Sequence, residues 1–167
     1  MKKKQTAPDV AEKTITYSLN KLIIRKFSII EPLEDLTADF DRDKFKIGFN
    51  LSLSSDPEKS SFQIVLGIFY NYELSGNDMN LLELSLISDF HISNIGTVLE
   101  IKGNSFIIPD ELLYNLTSVA YSSARGIIFS KTQGSYLNSF ILPLMDPKVL
   151  VGQTLASQLE HITKKEK

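Results

Sequence analysis

Residues 45–53 read FKIGFNLSL, and this stretch decides the fold class. Phe45, Ile47, Phe49, Leu51 and Leu53 occupy every second position, while Lys44, Lys46, Asn50, Ser52 and Ser54 take the alternate ones. Successive side chains of an extended chain point to opposite faces, so this period of two predicts a strand with one buried and one wet face. The same period recurs in Phe62, Ile64, Leu66, Ile68, Tyr70 and Tyr72, where Val65 and Phe69 add apolar character to the second face. It appears again in Leu82, Leu84, Leu86, Phe90 and Ile92, set against Glu83, Ser85, Asp89 and His91. The turn signals Ser54-Ser55-Asp56-Pro57 and Ser75-Gly76-Asn77-Asp78 separate these runs, which predicts an antiparallel meander. Upstream, Ile15, Tyr17 and Leu19 alternate with polar residues and Leu22 to Ile30 is β-rich, giving a first strand that ends at Glu31-Pro32.

After Gly103 the period changes to about 3.6. Pro109 suits a first helical position, and Asp110 and Glu111 complement the positive end of the helix dipole. Leu112, Leu113, Leu116, Val119 and Ala120 form the apolar stripe. Ser122, Ser123, Ala124 and Gly126 narrow the far end and permit close packing against another helix. Arg125 then reads as a cation at the helix C-terminus beside a capping glycine. Gly134 breaks the irregular stretch 131–142. Asp146-Pro147 is a cap and first turn for a terminal helix whose one face carries Val149, Leu155, Leu159 and Ile162. Strands followed by helices give an α+β fold, a four-stranded antiparallel sheet with two helices on one face.

The chain has 167 residues and 43% hydrophobic content, enough for one domain burying about two thirds of its unfolded surface. Residues 1–13 lack apolar periodicity and read as a flexible tail, 14–163 as a single domain, and 164–167 as a basic C-terminal tail. Absence of cysteine excludes disulfides, thiolate metal sites and cysteine nucleophiles. Lys2-Lys3-Lys4 is followed by a polar stretch rather than an apolar run, so the reading is a cytoplasmic protein without export signal, and no segment is apolar for long enough to enter a membrane. The net charge of -2 is unevenly spread: both tails are basic, whereas residues 14–159 hold 11 basic and 16 acidic residues. A body of that sign is a poor phosphate binder, which argues against nucleic acid as partner.

Motifs for catalysis are missing. His91 and His161 stand apart from any ligand-like cluster, and no Gly-x-Ser-x-Gly elbow, Walker sequence or dinucleotide fingerprint occurs. Asp39, Asp41 and Asp43 imitate the opening of a calcium loop, but the sixth and twelfth positions of that frame hold Lys44 and Asn50 instead of Gly and Glu. The expectation is a non-enzyme without metal or cofactor. What stands out is surplus apolar surface: Leu33, Leu36 and Phe40 in the acidic segment 31–43, Val65 and Phe69, and Tyr136, Leu137, Phe140, Ile141, Leu142 and Leu144 between the helices. Two helices cover only one face of such a sheet, so this surface is expected to meet a partner. Homo-oligomerisation would bury it without further function; the sharper expectation is a groove for extended polypeptide, lined by Leu36, Phe40, Phe45, Phe49, Tyr136, Phe140, Leu142 and Leu144.

Over residues 15–155 the chain resembles the SecB family of export chaperones. The likeness is carried by the first strand and Ile29-Ile30-Glu31-Pro32, the long loop, the two hairpins, the helix end Val119-Ala120-Tyr121-Ser122-Ser123-Ala124-Arg125-Gly126, and Leu142-Pro143-Leu144-Met145-Asp146. The resemblance implies an ATP-independent holdase for unfolded or nascent polypeptides, handing clients to a SecA-type motor. It also implies a homo-oligomer, a dimer of dimers with strands pairing across one interface and helices across the other, where Leu112, Leu116, Val119 and Ser123 are the expected contacts. SecB-like relatives serving toxin-antitoxin systems supply the alternative, an adaptor or chaperone dedicated to one partner such as an antitoxin.

Overall fold

The computed structural model of the chain describes residues 15–31, 40–102 and 105–154. Four long strands, β1 (Tyr17–Ile29), β2 (Phe45–Asp56), β3 (Ser61–Leu74) and β4 (Asn77–Ile92), form one antiparallel sheet in the order β1-β4-β3-β2. The meander of β2, β3 and β4 follows the sequence expectation. Ser75 and Gly76, both at positive φ, make the two-residue β3–β4 turn, whose hand matches the twist of the strands it joins. Asp56 caps the β2–β3 connection by accepting from the Lys59 amide at 3.3 Å, and its carboxylate holds the Lys59 ammonium at 2.5 Å.

β1 returns to the far side of β4. Its pairing register shifts between Leu19 and Lys21 and again between Ile24 and Lys26, so Asn20 and Arg25 are bulged. Each bulge adds one residue, and the helix-facing set becomes Tyr17, Leu19, Leu22, Ile24, Phe27 and Ile29. Between the bulges the pairing is regular, and Leu22-Ile23-Ile24 is an unbroken apolar run because Ile23 is apolar on the opposite face, across from Ile87.

One face of the sheet carries the core. Phe62, Ile64, Leu66, Ile68 and Tyr70 of β3 and Leu82, Leu84, Leu86 and Phe90 of β4 are buried beneath the long second helix, α2 (Asp110–Lys131). Ahead of it lie a single-turn helix α1 (Ile95–Val98) and a small hairpin of β5 (Glu100–Lys102) and β6 (Ser105–Ile107), three elements that the sequence reading had not resolved. Asp146 accepts from the Lys148 amide at 2.9 Å and opens α3, helical from 147 through 154.

Three expectations are corrected. Pro109 is the cap and not the first helical residue, and α2 runs past Gly126 to Lys131, so Arg125 and Gly126 lie within the helix. The left-handed glycine that follows is Gly134. In α3, Leu150, Val151 and Thr154 are buried while Val149 is exposed, so the inward face is turned from the one expected; Leu155, Leu159 and Ile162 lie outside the described residues. Finally, Leu112 and Leu116 point at the sheet and belong to the core, where each buried side chain contributes about 1.5–3 kcal/mol. They cannot serve an interface between copies. Val119 and Ser123 are half-buried, and the outward face of α2 is formed by Asn115, Ser118, Ser122, Gly126 and Phe129.

Candidate functional site

The apolar surplus gathers at two places. At the outer end of β2, Phe45 faces the helix side of the sheet opposite Tyr72. Phe140, which ends the short turn Tyr136–Ser139 after α2, stacks on Phe45 with ring centroids 4.4 Å apart. Phe40 closes the group, its centroid lying 4.5 Å from Tyr72, 4.9 Å from Phe140, 5.5 Å from Tyr136 and 5.9 Å from Phe45. Tilted and offset geometries of this kind suit the quadrupoles of the rings. The buried Tyr70 anchors the segment from below, its hydroxyl donating to the Phe140 carbonyl oxygen at 2.9 Å. Burial pushes that hydroxyl to a higher pKa, with the neighbouring Tyr121 adding to the shift, so it stays a donor throughout the ordinary pH range.

Four of the eight residues expected to line a groove therefore meet in one cluster: Phe40, Phe45, Tyr136 and Phe140, all half-buried. Phe49 stands four residues along β2 from Phe45, 6.0 Å from the Tyr121 ring, outside the cluster. Leu142 is 1% exposed and belongs to the core, so its inclusion among the groove residues is corrected. Leu144 is 85% exposed. Leu36 lies outside the described residues. Tyr72, a member of the cluster, escaped the sequence reading because its place in the strand alternation marked it simply as core.

The second place is a furrow between α2 and the strap 140–147. The Tyr121 hydroxyl donates to the Pro143 carbonyl oxygen at 2.8 Å and fixes the strap beside the helix. On one side of Arg125 lies a hollow of about 150 Å³ whose walls include Ser118, Leu144, Met145, Pro147 and Leu150. On the other lies a more open one of about 380 Å³ lined by Ser122, Gly126, Phe129 and Ile141. Phe129 and Ile141 are 45% and 55% exposed.

A third hollow, polar and about 400 Å³, lies on the opposite sheet face around Asp89. Asp89 is nearly buried and accepts from Ser61 Oγ at 2.5 Å, Asn20 Nδ2 at 3.1 Å and Gln63 Nε2 at 3.4 Å. Because Asn20 is a bulge residue, this carboxylate ties the irregular β1 to β3 and β4. His91 is exposed, and among the described residues no three His, Asp or Glu side chains approach one another closely enough to hold a metal ion. No helix among the described residues is long and apolar enough to cross a membrane. The chemistry that these surfaces offer is apolar contact, stacking and main-chain pairing.

Comparison with known proteins gives no match to a family model and none to a curated protein. Among solved structures, the chain is similar to the SecB-like chaperone Rv1957 of Mycobacterium tuberculosis in complex with a ChAD peptide from the HigA1 antitoxin, at 11% identity and a TM-score of 0.49, covering 77% of this chain and 90% of that one. It is also similar to a protein of unknown function from Streptococcus agalactiae, at 11% identity and a TM-score of 0.40, covering 72% of this chain and 90% of that one.

Proposed function

We propose that this protein is an ATP-independent holdase that binds extended apolar stretches of non-native polypeptide. The observation that carries the reading is the half-buried ring cluster of Phe40, Phe45, Tyr136 and Phe140, continued along the strap by the exposed Ile141 and Leu144. Rings that are packed on one side and open on the other offer a preformed surface for apolar side chains, and each fully buried client side chain gains about 1.5–3 kcal/mol. Ordering the client offsets much of that gain, so contacts are individually weak and release requires no nucleotide.

Assembly into a homo-oligomer belongs to the same reading. Among the described residues β1 leaves one edge unpaired, and it exposes Leu19, Leu22, Ile23 and Ile24 on its two faces. A long edge of this kind pairs readily with another strand. A dimer joined through this edge, working in the cytoplasm and passing clients to an export motor of the SecA type, is the fuller form of the proposal.

Suppression of aggregation, measured by light scattering on several unrelated unfolded clients at sub-stoichiometric to equimolar chaperone, tests it. Protection of all clients supports the holdase. Protection of one cognate partner alone, such as an antitoxin, assigns the same surface to a dedicated adaptor, and protection of none overturns both.

A further inference from the structure

Arg125 projects from the middle of α2 and lines both hollows of the furrow. Arg125 is half-buried and has no hydrogen-bonded or ion-paired partner among the described residues; Tyr121 feels its charge without bonding to it. From Leu112 to Lys131 the helix contains no Asp or Glu, so α2 supplies no carboxylate along that length. A planar five-donor fork held between apolar walls is matched by a carboxylate, which it can bind in bidentate fashion.

The hollows on either side say what must flank that carboxylate. Leu144, Met145, Pro147 and Leu150 wall one, and Phe129 and Ile141 wall the other, while Gly126 keeps the rim low, since a Cβ added there would meet nothing within 4 Å. An extended chain presents alternate side chains to one surface, at a spacing of about 6.8 Å. From the charge, the two hollows and their order along the helix, and resting on the polypeptide-binding reading above, we infer that the furrow between α2 and the strap 140–147 is a selective subsite. It takes a client segment of the pattern apolar-x-acidic-x-apolar, with the acidic side chain on Arg125 and one apolar side chain in each hollow. Selection for acidic segments distinguishes this furrow from the ring cluster, which reads apolar surface alone.

The competing occupant is a second copy of the chain. Helices crossing antiparallel about Ser118 would bring the Glu111 of that copy opposite Arg125, filling the same fork. The test therefore uses two labelled peptides of equal length, each with Leu on both sides of a central Glu or Gln at the stated spacing. Their binding is read by fluorescence anisotropy, with the sedimentation of the peptide-free protein recorded alongside. The expected result is at least tenfold tighter binding of the Glu peptide at low salt, a preference that shrinks as salt rises and disappears in Arg125→Gln, with sedimentation unchanged. Arg125→Lys, which keeps the charge but loses the fork, should retain only part of the preference, and the peptide pair on the unaltered protein gives the answer even where a variant folds poorly. Equal affinities for the two peptides, or a preference that survives Arg125→Gln, overturn the subsite and leave the holdase reading standing. Loss of self-association in Arg125→Gln without peptide discrimination also overturns it, assigning the face to a second copy. Failure of both peptides to bind overturns the subsite, and the holdase reading falls with it only where client aggregation is also left unsuppressed.

Discussion

Replacing Phe140 by Ala removes the ring around which the cluster is built. That ring stacks on Phe45 at 4.4 Å and meets Phe40 at 4.9 Å and Tyr136 at 5.7 Å. A fully buried Phe→Ala change costs about 3–5 kcal/mol. Phe140 is only half-buried, so the expected loss is nearer 2 kcal/mol. Of this, about 0.5–1.5 kcal/mol should be specific to the Phe45 pair and should emerge as the coupling in a double-mutant cycle with Phe45→Ala. The hydrogen bond from Tyr70 to the Phe140 carbonyl uses backbone and survives the substitution, which keeps the strap in place. Tyr70→Phe is the complementary control: it leaves every ring but deletes that bond, at a cost of about 1 kcal/mol or more, because a buried carbonyl loses its donor. Urea denaturation followed by circular dichroism gives the four stabilities, and aggregation suppression on the same samples reports client binding. Phe140→Ala should lose both stability and suppression, whereas Tyr70→Phe should lose stability chiefly. A cycle coupling of zero, or full suppression by a stably folded Phe140→Ala protein, would refute the idea that these rings form one preassembled client surface. The simultaneous change of Phe40 and Phe140 to Ala is a poorer test, since both rings support the cluster and their loss mixes unfolding with weakened binding.

Other substitutions follow from buried polar groups and backbone. Thr117 Oγ1 is buried with no hydrogen-bond partner among the described residues, so Thr117→Val should raise stability by about 1 kcal/mol in the same urea measurement, and an unchanged or lower value would show that the hydroxyl is satisfied. Gly126→Ala should stabilise by about 0.5–1 kcal/mol, because the glycine sits inside a helix and an added methyl meets open space. Burial alone would raise the pKa of Asp89, but hydrogen bonds from Ser61, Asn20 and Gln63 outweigh it and hold the carboxyl below its ordinary value. A folded-state pKa below the unfolded one means stability that is present above about pH 4 and lost as pH falls through the lowered value. Asp89→Asn should therefore destabilise the protein at neutral pH and flatten that acid limb, as thermal melts between pH 2 and 7 would record.

The legibility of this chain divides along a physical line. β2, β3 and β4 could be read because each has a dry face and a comparatively wet one, and the alternation of Phe45 to Leu53 lies intact in the sheet. β1 is legible as a strand, but its faces are not: the bulges at Asn20 and Arg25 break the period, and sequence alone gives no sign of which residue a sheet edge will extrude. The extent of α2 was misread for a related reason. Gly126 looked like a cap, yet helix propensity costs only about 1 kcal/mol at a single glycine, less than is gained by carrying Ile128 onward into the core.

The functional surface shows where local pattern stops being informative. Phe40, Phe45, Tyr136 and Phe140 come together from three separate segments, and the sequence places all four in one expected groove, but alternation and surplus alone do not separate them from Leu142, which the core holds, or from Phe49, which stands outside the cluster. The interface assignment to Leu112 and Leu116 failed because an apolar helical stripe names the buried face, not what buries it; here the sheet of the same chain does so. The outward face is made of small and polar residues, Ser118, Ser122 and Gly126, beside the cation between two hollows; the sequence marks Ser122, Gly126 and Arg125, but as a narrow helix end and its capping charge rather than as the rim of a furrow. On the holdase reading proposed above, a surface that grips many chains and releases them would gain little from large exposed side chains, which would drive its own aggregation. Small residues beside a few half-buried rings and one charge would, on that reading, give room for a client at little cost in exposed apolar area, and such a compromise leaves only a faint trace in composition.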